Sequence, residues 1–223
     1  MSVLVEICAD SESSSVVAAA AGAGRIELCA HAVIGGVTPS AALLQAVRER
    51  VPVPVFAMVR ARGGDFVYGA EELGIMRRDA SRLREAGASG IVSGVLCQDG
   101  SIDEEATRTL IEAARPLPFT FHRAFDLVPD KERALDVLLA LGVERVLTSG
   151  GSSTAQAGAD RIAALVRQAG DRLTVMAGGG VRGPHVAELV RRTGVREVHA
   201  RPIIRQRDEI DPAGVRALVA ALR

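Results

Sequence analysis

Leu173-Thr-Val-Met-Ala-Gly-Gly-Gly-Val-Arg-Gly-Pro184 takes the chain from one kind of local structure into another. Leu173–Met176 is a short β-branched run and reads as a strand. Gly178-Gly179-Gly180-Val181-Arg182-Gly183-Pro184 then turns and leads into a helix. The same unit recurs along the chain. Strands are expected at Val3–Ile7, Arg25–Cys29, Val55–Val59, Ser89–Ser93, Phe119–His122, Arg145–Thr148, Leu173–Met176 and Glu197–Ala200. Between them, apolar residues recur at helical spacing. Leu73, Met76, Ala80 and Leu83 mark one face of the third helix, and Val215, Leu218, Val219 and Leu222 mark the last.

Eight strand–helix pairs in strict alternation predict a parallel sheet, because parallel neighbours need a crossover that helices supply. A barrel of this kind typically has about 250 residues and can be built from roughly 200, so 223 residues suffice. The expected fold is therefore α/β: a single (β/α)8 TIM barrel, with a parallel eight-stranded core and outer helices, over residues 1–223 as one domain. An open doubly wound sheet is the competing architecture. No glycine fingerprint follows the first strand and no break in composition divides the chain, which favours closure.

Helix starts are punctuated. Thr38-Pro39 and Asp211-Pro212 each place a capping side chain before a proline. Ser101-x-x-Glu104 and Ser153-x-x-Gln156 read as capping boxes. Ser13-Ser14-Ser15 opens a first helix that Gly22 and Gly24 end.

Composition excludes several functions. The 27 basic residues balance 27 acidic ones and are scattered, so no basic face for nucleic acid is expected. The longest apolar stretch, Val16 to Gly24, falls short of the ~20 residues that span a bilayer. The start, Met-Ser-Val-Leu-Val-Glu-Ile-Cys, lacks the basic opening of a signal peptide. Three cysteines without framework spacing point to reduced thiols. The expectation is a cytoplasmic protein without nucleic-acid or membrane partners, assembled as a homo-oligomer, with a dimer the first choice.

The strands lose their apolar pattern at one end, always the C-terminal one. Glu6 and Cys8 close the first strand, Glu27 and Cys29 the second, and Arg60 the third. His122 and Arg123 close the fifth, Thr148 and Ser149 the sixth, and His199 the eighth. In a barrel these ends meet at one mouth, where barrel active sites are built. Polar residues at strand ends can also simply meet solvent, which accounts for any one of them better than for all.

Strand parity puts Glu6 with Cys8, and Glu27 with Cys29, on shared faces. Neighbouring strands about 4.8 Å apart would bring both thiols to one soft ion, and thiolates select Cu(I). Free cysteine is otherwise a small buried hydrophobe. Spacing alone favours that reading, since no Cys-x-x-Cys or His-rich tract accompanies the pair.

Gly178, Gly179 and Gly180 precede a helix and could hold a phosphate or carboxylate on backbone amides, with Thr148 and Ser149-Gly150-Gly151 beside them. A tight turn would need the same glycines. Arg60-Ala-Arg62-Gly-Gly-Asp65-Phe66 offers two guanidinium groups to an anion, unless Asp65 merely pairs with one and fixes the loop. His122, Arg123 and Asp126 lie within five positions. His122 is the candidate general acid or base, expected to point into the mouth near Glu6 and Glu27 and to gain pKa there. A buried structural histidine is the other reading.

In this order, these segments resemble the CutC copper homeostasis family nearly end to end. The pieces that carry the resemblance are Glu6-Ile-Cys8, Arg25-Ile-Glu27-Leu-Cys29, Gly35-Gly36-Val-Thr38-Pro39-Ser40 and Arg60-Ala-Arg62-Gly63-Gly64-Asp65-Phe66. Asp99-Gly100-Ser-Ile-Asp103, Thr120-Phe-His122-Arg123-Ala-Phe125-Asp126, Leu147-Thr148-Ser149-Gly150-Gly151, Gly178-Gly179-Gly180-Val181 and Glu197-Val-His199 continue it. Ala61 stands where the family pattern has Pro, and Val198 and Ala200 flank His199 where Phe and Ser are usual. The resemblance implies a cytoplasmic barrel with a role in copper homeostasis and copper as ligand. Carried over by position, the Cu(I) ligands fall on Cys8 and Cys29. The alternative is an enzyme for a phosphorylated or carboxylated small metabolite. In that case Gly178–Gly180, Ser149, Arg60 and Arg62 hold the anion while His122, Glu6 or Glu27 moves a proton.

Overall fold

The computed structural model describes residues 3–204 and 208–223. Strands and helices alternate as β1 (Leu4–Ala9), α1 (Glu12–Ala20), β2 (Arg25–Leu28), α2 (Ala41–Arg50), β3 (Val55–Met58), α3 (Ala70–Glu85), β4 (Gly90–Ser93) and α4 (Glu104–Ala114). They continue as β5 (Phe119–Phe121), α5 (Lys131–Leu141), β6 (Arg145–Thr148), α6 (Ala159–Ala169), β7 (Thr174–Gly178), α7 (Gly183–Thr193) and β8 (Glu197–Ala200). A short antiparallel hairpin, β9 (Ile203–Ile204) with β10 (Glu209–Ile210), precedes α8 (Pro212–Ala220). Each of β1 to β8 pairs in parallel with the next, and β8 returns to β1 from Leu4↔Glu197 to Ile7↔Ala200. The sheet is therefore a closed barrel of eight strands.

Side chains alternate along each strand, and the two faces differ in chemistry. The outward face is apolar: Ile7, Ile26, Leu28, Ile91, Phe119 and Phe121 are fully buried against the helices. The helices meet them with Leu44, Met76, Leu110, Leu135, Ile162 and Leu165, also sealed from solvent. Each such side chain contributes roughly 1.5–3 kcal/mol by leaving water. The interior face is polar instead. Arg25 on β2, Glu197 on β8 and Arg145 on β6 touch one another, which strands so far apart in the ring can do only through the barrel's inside. Barrel interiors are usually filled by Val, Ile and Leu layers; here ion pairs take much of that space.

Several helix starts differ from expectation. Ser40, not Thr38, caps α2, because the Thr38 hydroxyl is engaged with both the amide and the carbonyl of Arg60. Asp103, not Ser101, caps α4, while Ser101 donates to Asp99. The helix expected behind Ser153 begins later, after Gly158, and Thr154 caps only the preceding turn. Asp211 caps α8 as expected, with Pro212 in its first turn.

Candidate functional site

The site grows from a chain of ion pairs inside the barrel. Register places Glu6 opposite Arg25 on one side and His199 on the other. Arg25 donates to Glu6 and to Glu197, and Arg145 grips Glu197 with two contacts of 2.6 Å and 3.1 Å. Phe56 lies under both guanidinium groups, 4.7 Å from Arg25 and 5.4 Å from Arg145. Burial alone would raise the Glu6 carboxyl, but the His199 hydrogen bond and the Arg25 charge outweigh it and hold it down at about 2. An ionised Glu6 can only accept, so His199 Nδ1, 2.7 Å away, must donate.

Above this layer sit the groups of the mouth. Cys8 lies opposite Glu27 in the β1–β2 ladder. Cys8 Sγ and Cys29 Sγ are 3.7 Å apart and buried. The hydrogen bond with Cys29 and burial push the Cys8 thiol well above its usual range. Glu27 is 2% exposed, and its Oε2 has no hydrogen-bond partner among the described residues. Burial pushes its carboxyl up to about 8, against the pull of His199. Burial disfavours the charged form of His199, yet Glu27 and Glu6 together hold it above the ordinary histidine value. Glu6, Glu27, Cys8, Cys29 and His199 thus form one constellation, as convergence at the strand ends predicts.

Met58 belongs to the same group and sequence reading missed it. It packs with Cys8 and Cys29 in a small buried cluster apart from the main core. Gly36 makes the room: its φ is +81°, and a β-carbon there would lie 2.9 Å from Met58 Sδ and 3.1 Å from Cys29 Sγ. The available signal was parity, since Met58 shares a face with Arg60.

His122 does not join the carboxylates. Its Nδ1 accepts the Ala124 amide at 3.3 Å, and its ring packs 4.8 Å from Phe66. Burial and the nearby Arg60 charge press its pKa down to about 3 instead of raising it. The imidazole that meets Glu6 and Glu27 comes from β8, because ring closure makes β8 and not β5 the neighbour of β1.

The two arginines assigned to an anion are engaged by groups of the protein itself. Arg60 donates to the carbonyls of Ile34, Gly36 and Gly64 and covers the Phe66 ring. Arg62 is held by Asp65, Glu72 and the Val67 carbonyl. Asp65 therefore fixes the loop. The sixth-strand end is similarly self-contained. Asp126 Oδ1 accepts from Thr148 Oγ1 at 2.6 Å and from the amides of Ser149 and Gly151 at 2.9 Å and 3.2 Å. Arg123 pairs with the other oxygen at 2.7 Å and reaches Ser149 Oγ. The chain's own carboxylate holds the amides expected for an incoming anion. At the glycine turn, Gly179 accepts from the Ala155 amide, and a β-carbon on Gly179 would lie 3.1 Å from Ser149 Cβ and 3.3 Å from Arg123 Cζ. Gly178–Gly180 therefore make a close-packed junction with the β6 loop.

Comparison with known proteins gives the family. A family model described as the CutC family matches residues 3–204. A CutC family protein of Caulobacter vibrioides is 48% identical over 197 residues, covering 88% of this chain and 80% of that protein. The copper homeostasis protein cutC homolog of Homo sapiens is 47% identical over 196 residues, covering 88% of this chain and 72% of its own. The crystal structure of a CutC protein from Streptococcus agalactiae superposes with a TM-score of 0.84 at 36% identity, over 88% of this chain and 97% of that one. A phosphoribosylanthranilate isomerase from Thermotoga maritima shares the fold alone, with a TM-score of 0.63 at 13% identity over 99% and 98% of the two chains. With a family match spanning most of its length and relatives near one-half identity, the chain belongs to the CutC family.

Proposed function

We propose that the protein serves copper homeostasis by binding Cu(I) through Cys8 and Cys29 at the barrel mouth. The carrying observation is the pair of buried thiols on neighbouring strands, 3.7 Å apart. With a metal–sulfur bond of about 2.3 Å, one ion reaches both at an S–metal–S angle of roughly 105–110°. That angle suits three- or four-fold coordination better than a linear pair. Met58 supplies a thioether beside them, and thiolate with thioether is the donor set that selects Cu(I). Relatives at 47% identity carry the name copper homeostasis protein. The thiols suit a reducing compartment such as the cytoplasm, and no helix among the described residues is long and apolar enough to cross a membrane.

Binding must release protons, since the ligands are thiolates and the Cys8 thiol is held above its usual range. Anaerobic Cu(I) competition titrations of wild type and Cys29→Ser test the reading. Wild type is expected to bind one Cu(I) and Cys29→Ser to bind it at least ~10-fold more weakly, the loss of one thiolate ligand. Equal affinity in the two proteins would remove the thiol pair from the function.

A further inference from the structure

We propose that Cys8, Glu27 and His199 form a second metal site, for a divalent cation of the zinc class, that shares Cys8 with the Cu(I) pair. The three residues each offer one ligand atom, and these atoms all lie within 4.8 Å of one another. They come from β1, β2 and β8, adjacent strands of a rigid ladder, so backbone register alone assembles them. A second observation points to a ligand independently. Glu27 is almost completely buried, and its Oε2 has no hydrogen-bond partner among the described residues, with His199 Nδ1 3.9 Å away. A carboxylate oxygen in that position is costly unless something binds it.

The surroundings are those of a supported metal ligand. Glu6 accepts a hydrogen bond from His199 Nδ1 at 2.7 Å, so in the proposed site the other ring nitrogen, Nε2, is the one that gives up its proton and ligates. Arg25 in turn holds Glu6. A carboxylate that orients a histidine from behind is the usual outer support of a metal-bound imidazole. The donor set also differs from that of the copper site. Cys29 and Met58 pack soft sulfur against Cys8, whereas Glu27 and His199 bring an oxygen and a nitrogen within 4.8 Å of it. Mixed sulfur, nitrogen and oxygen donors suit zinc and its neighbours, and sulfur alone suits Cu(I). Charge agrees as well. One thiolate and one carboxylate neutralise a divalent ion, while the Glu6 charge is already met by Arg25. Three protein ligands leave a coordination position open, which is the arrangement of zinc sites that bind a substrate or water.

The site rests on Cys8 being a metal ligand but not on Cu(I) being the metal, and its test separates the two. Cobalt(II) is the probe, because thiolate–cobalt charge transfer and ligand-field bands report sulfur ligation and coordination number. Reduced, metal-free protein titrated anaerobically with Co²⁺ is expected to show both, and Zn²⁺ to displace the signal. Glu27→Gln and His199→Gln should each weaken Co²⁺ binding roughly tenfold or more and leave Cu(I) affinity unchanged. Cys29→Ser should do the reverse, and Cys8→Ser should lose both ions. Glu6→Gln, one step removed, should weaken Co²⁺ by about 10–100-fold. Absence of thiolate–cobalt bands in wild type overturns the proposal, as does wild-type Co²⁺ affinity in Glu27→Gln. Should His199→Gln fail to fold, the near-isosteric Glu27→Gln decides alone. Failure of the wild-type protein to bind Cu(I), with Co²⁺ binding intact, would sink the copper reading and leave this site standing.

Discussion

Arg25→Ala is expected to destabilise the barrel by about 3–5 kcal/mol in chemical denaturation, the cost of removing one partner from a buried ion pair. Arg25 is 3% exposed and stands between Glu6, which is fully buried, and Glu197, which is largely so. Alanine leaves Glu6 with only His199 and leaves Glu197 with only Arg145. It also strips the Phe56 ring of one of its two covering guanidinium groups. Glu6 then loses the charge that keeps its carboxyl low, so it should take up a proton far more readily and hold His199 less well. Midpoint and slope from urea unfolding measure the loss. A change below about 1 kcal/mol, the size of a surface pair, would show that the interior network contributes little.

His122→Asn should flatten the acid limb of the stability curve. The folded His122 titrates at about 3 because burial and Arg60 oppose its charge, whereas an unfolded histidine titrates near 6.5. Between those values the unfolded chain binds a proton that the folded chain refuses, so stability rises with pH through the window and falls as pH drops below about 6.5. At pH 4 the accumulated cost is about 3 kcal/mol, from roughly 1.4 kcal/mol per pH unit. Asparagine retains an acceptor for the Ala124 amide and does not titrate. The stability advantage of wild type over the variant should therefore shrink by about 3 kcal/mol between pH 7 and pH 4. Parallel curves for the two proteins would mean that His122 is protonated in the folded state at ordinary acidity.

The fold was legible because its signals are local. Short β-branched runs such as Arg145–Thr148 and helical spacing such as Met76, Ala80 and Leu83 declare themselves within one segment. Convergence of polar residues at the strand ends was legible for the same reason, and it located Cys8, Cys29, Glu6, Glu27 and His199 together. The identity of the working histidine was not. His122 carries the richer local motif, but the Glu6–His199 contact joins residues 193 apart and exists only because the last strand closes on the first. Arg25, Arg145 and Glu197 open their strands and look like solvent-facing charges until closure turns them inward. Asp126 illustrates a further limit. Its sequence neighbours suggest a ligand-binding group, and only tertiary structure shows it filling the amides of Ser149 and Gly151 itself. Met58 was hidden by being apolar, since a methionine in a buried strand reads as core until two thiols are found beside it.

The central claim is that a sulfur pair at the barrel mouth binds copper, and X-ray absorption at the copper edge of Cu(I)-loaded wild-type protein tests it most directly. The structure predicts a first shell with at least two sulfurs at about 2.3 Å, the length of a metal–thiolate bond, in three- or four-fold coordination set by the 3.7 Å separation of Cys8 and Cys29. A shell of nitrogen and oxygen alone, or one unaltered in Cys29→Ser, would contradict it.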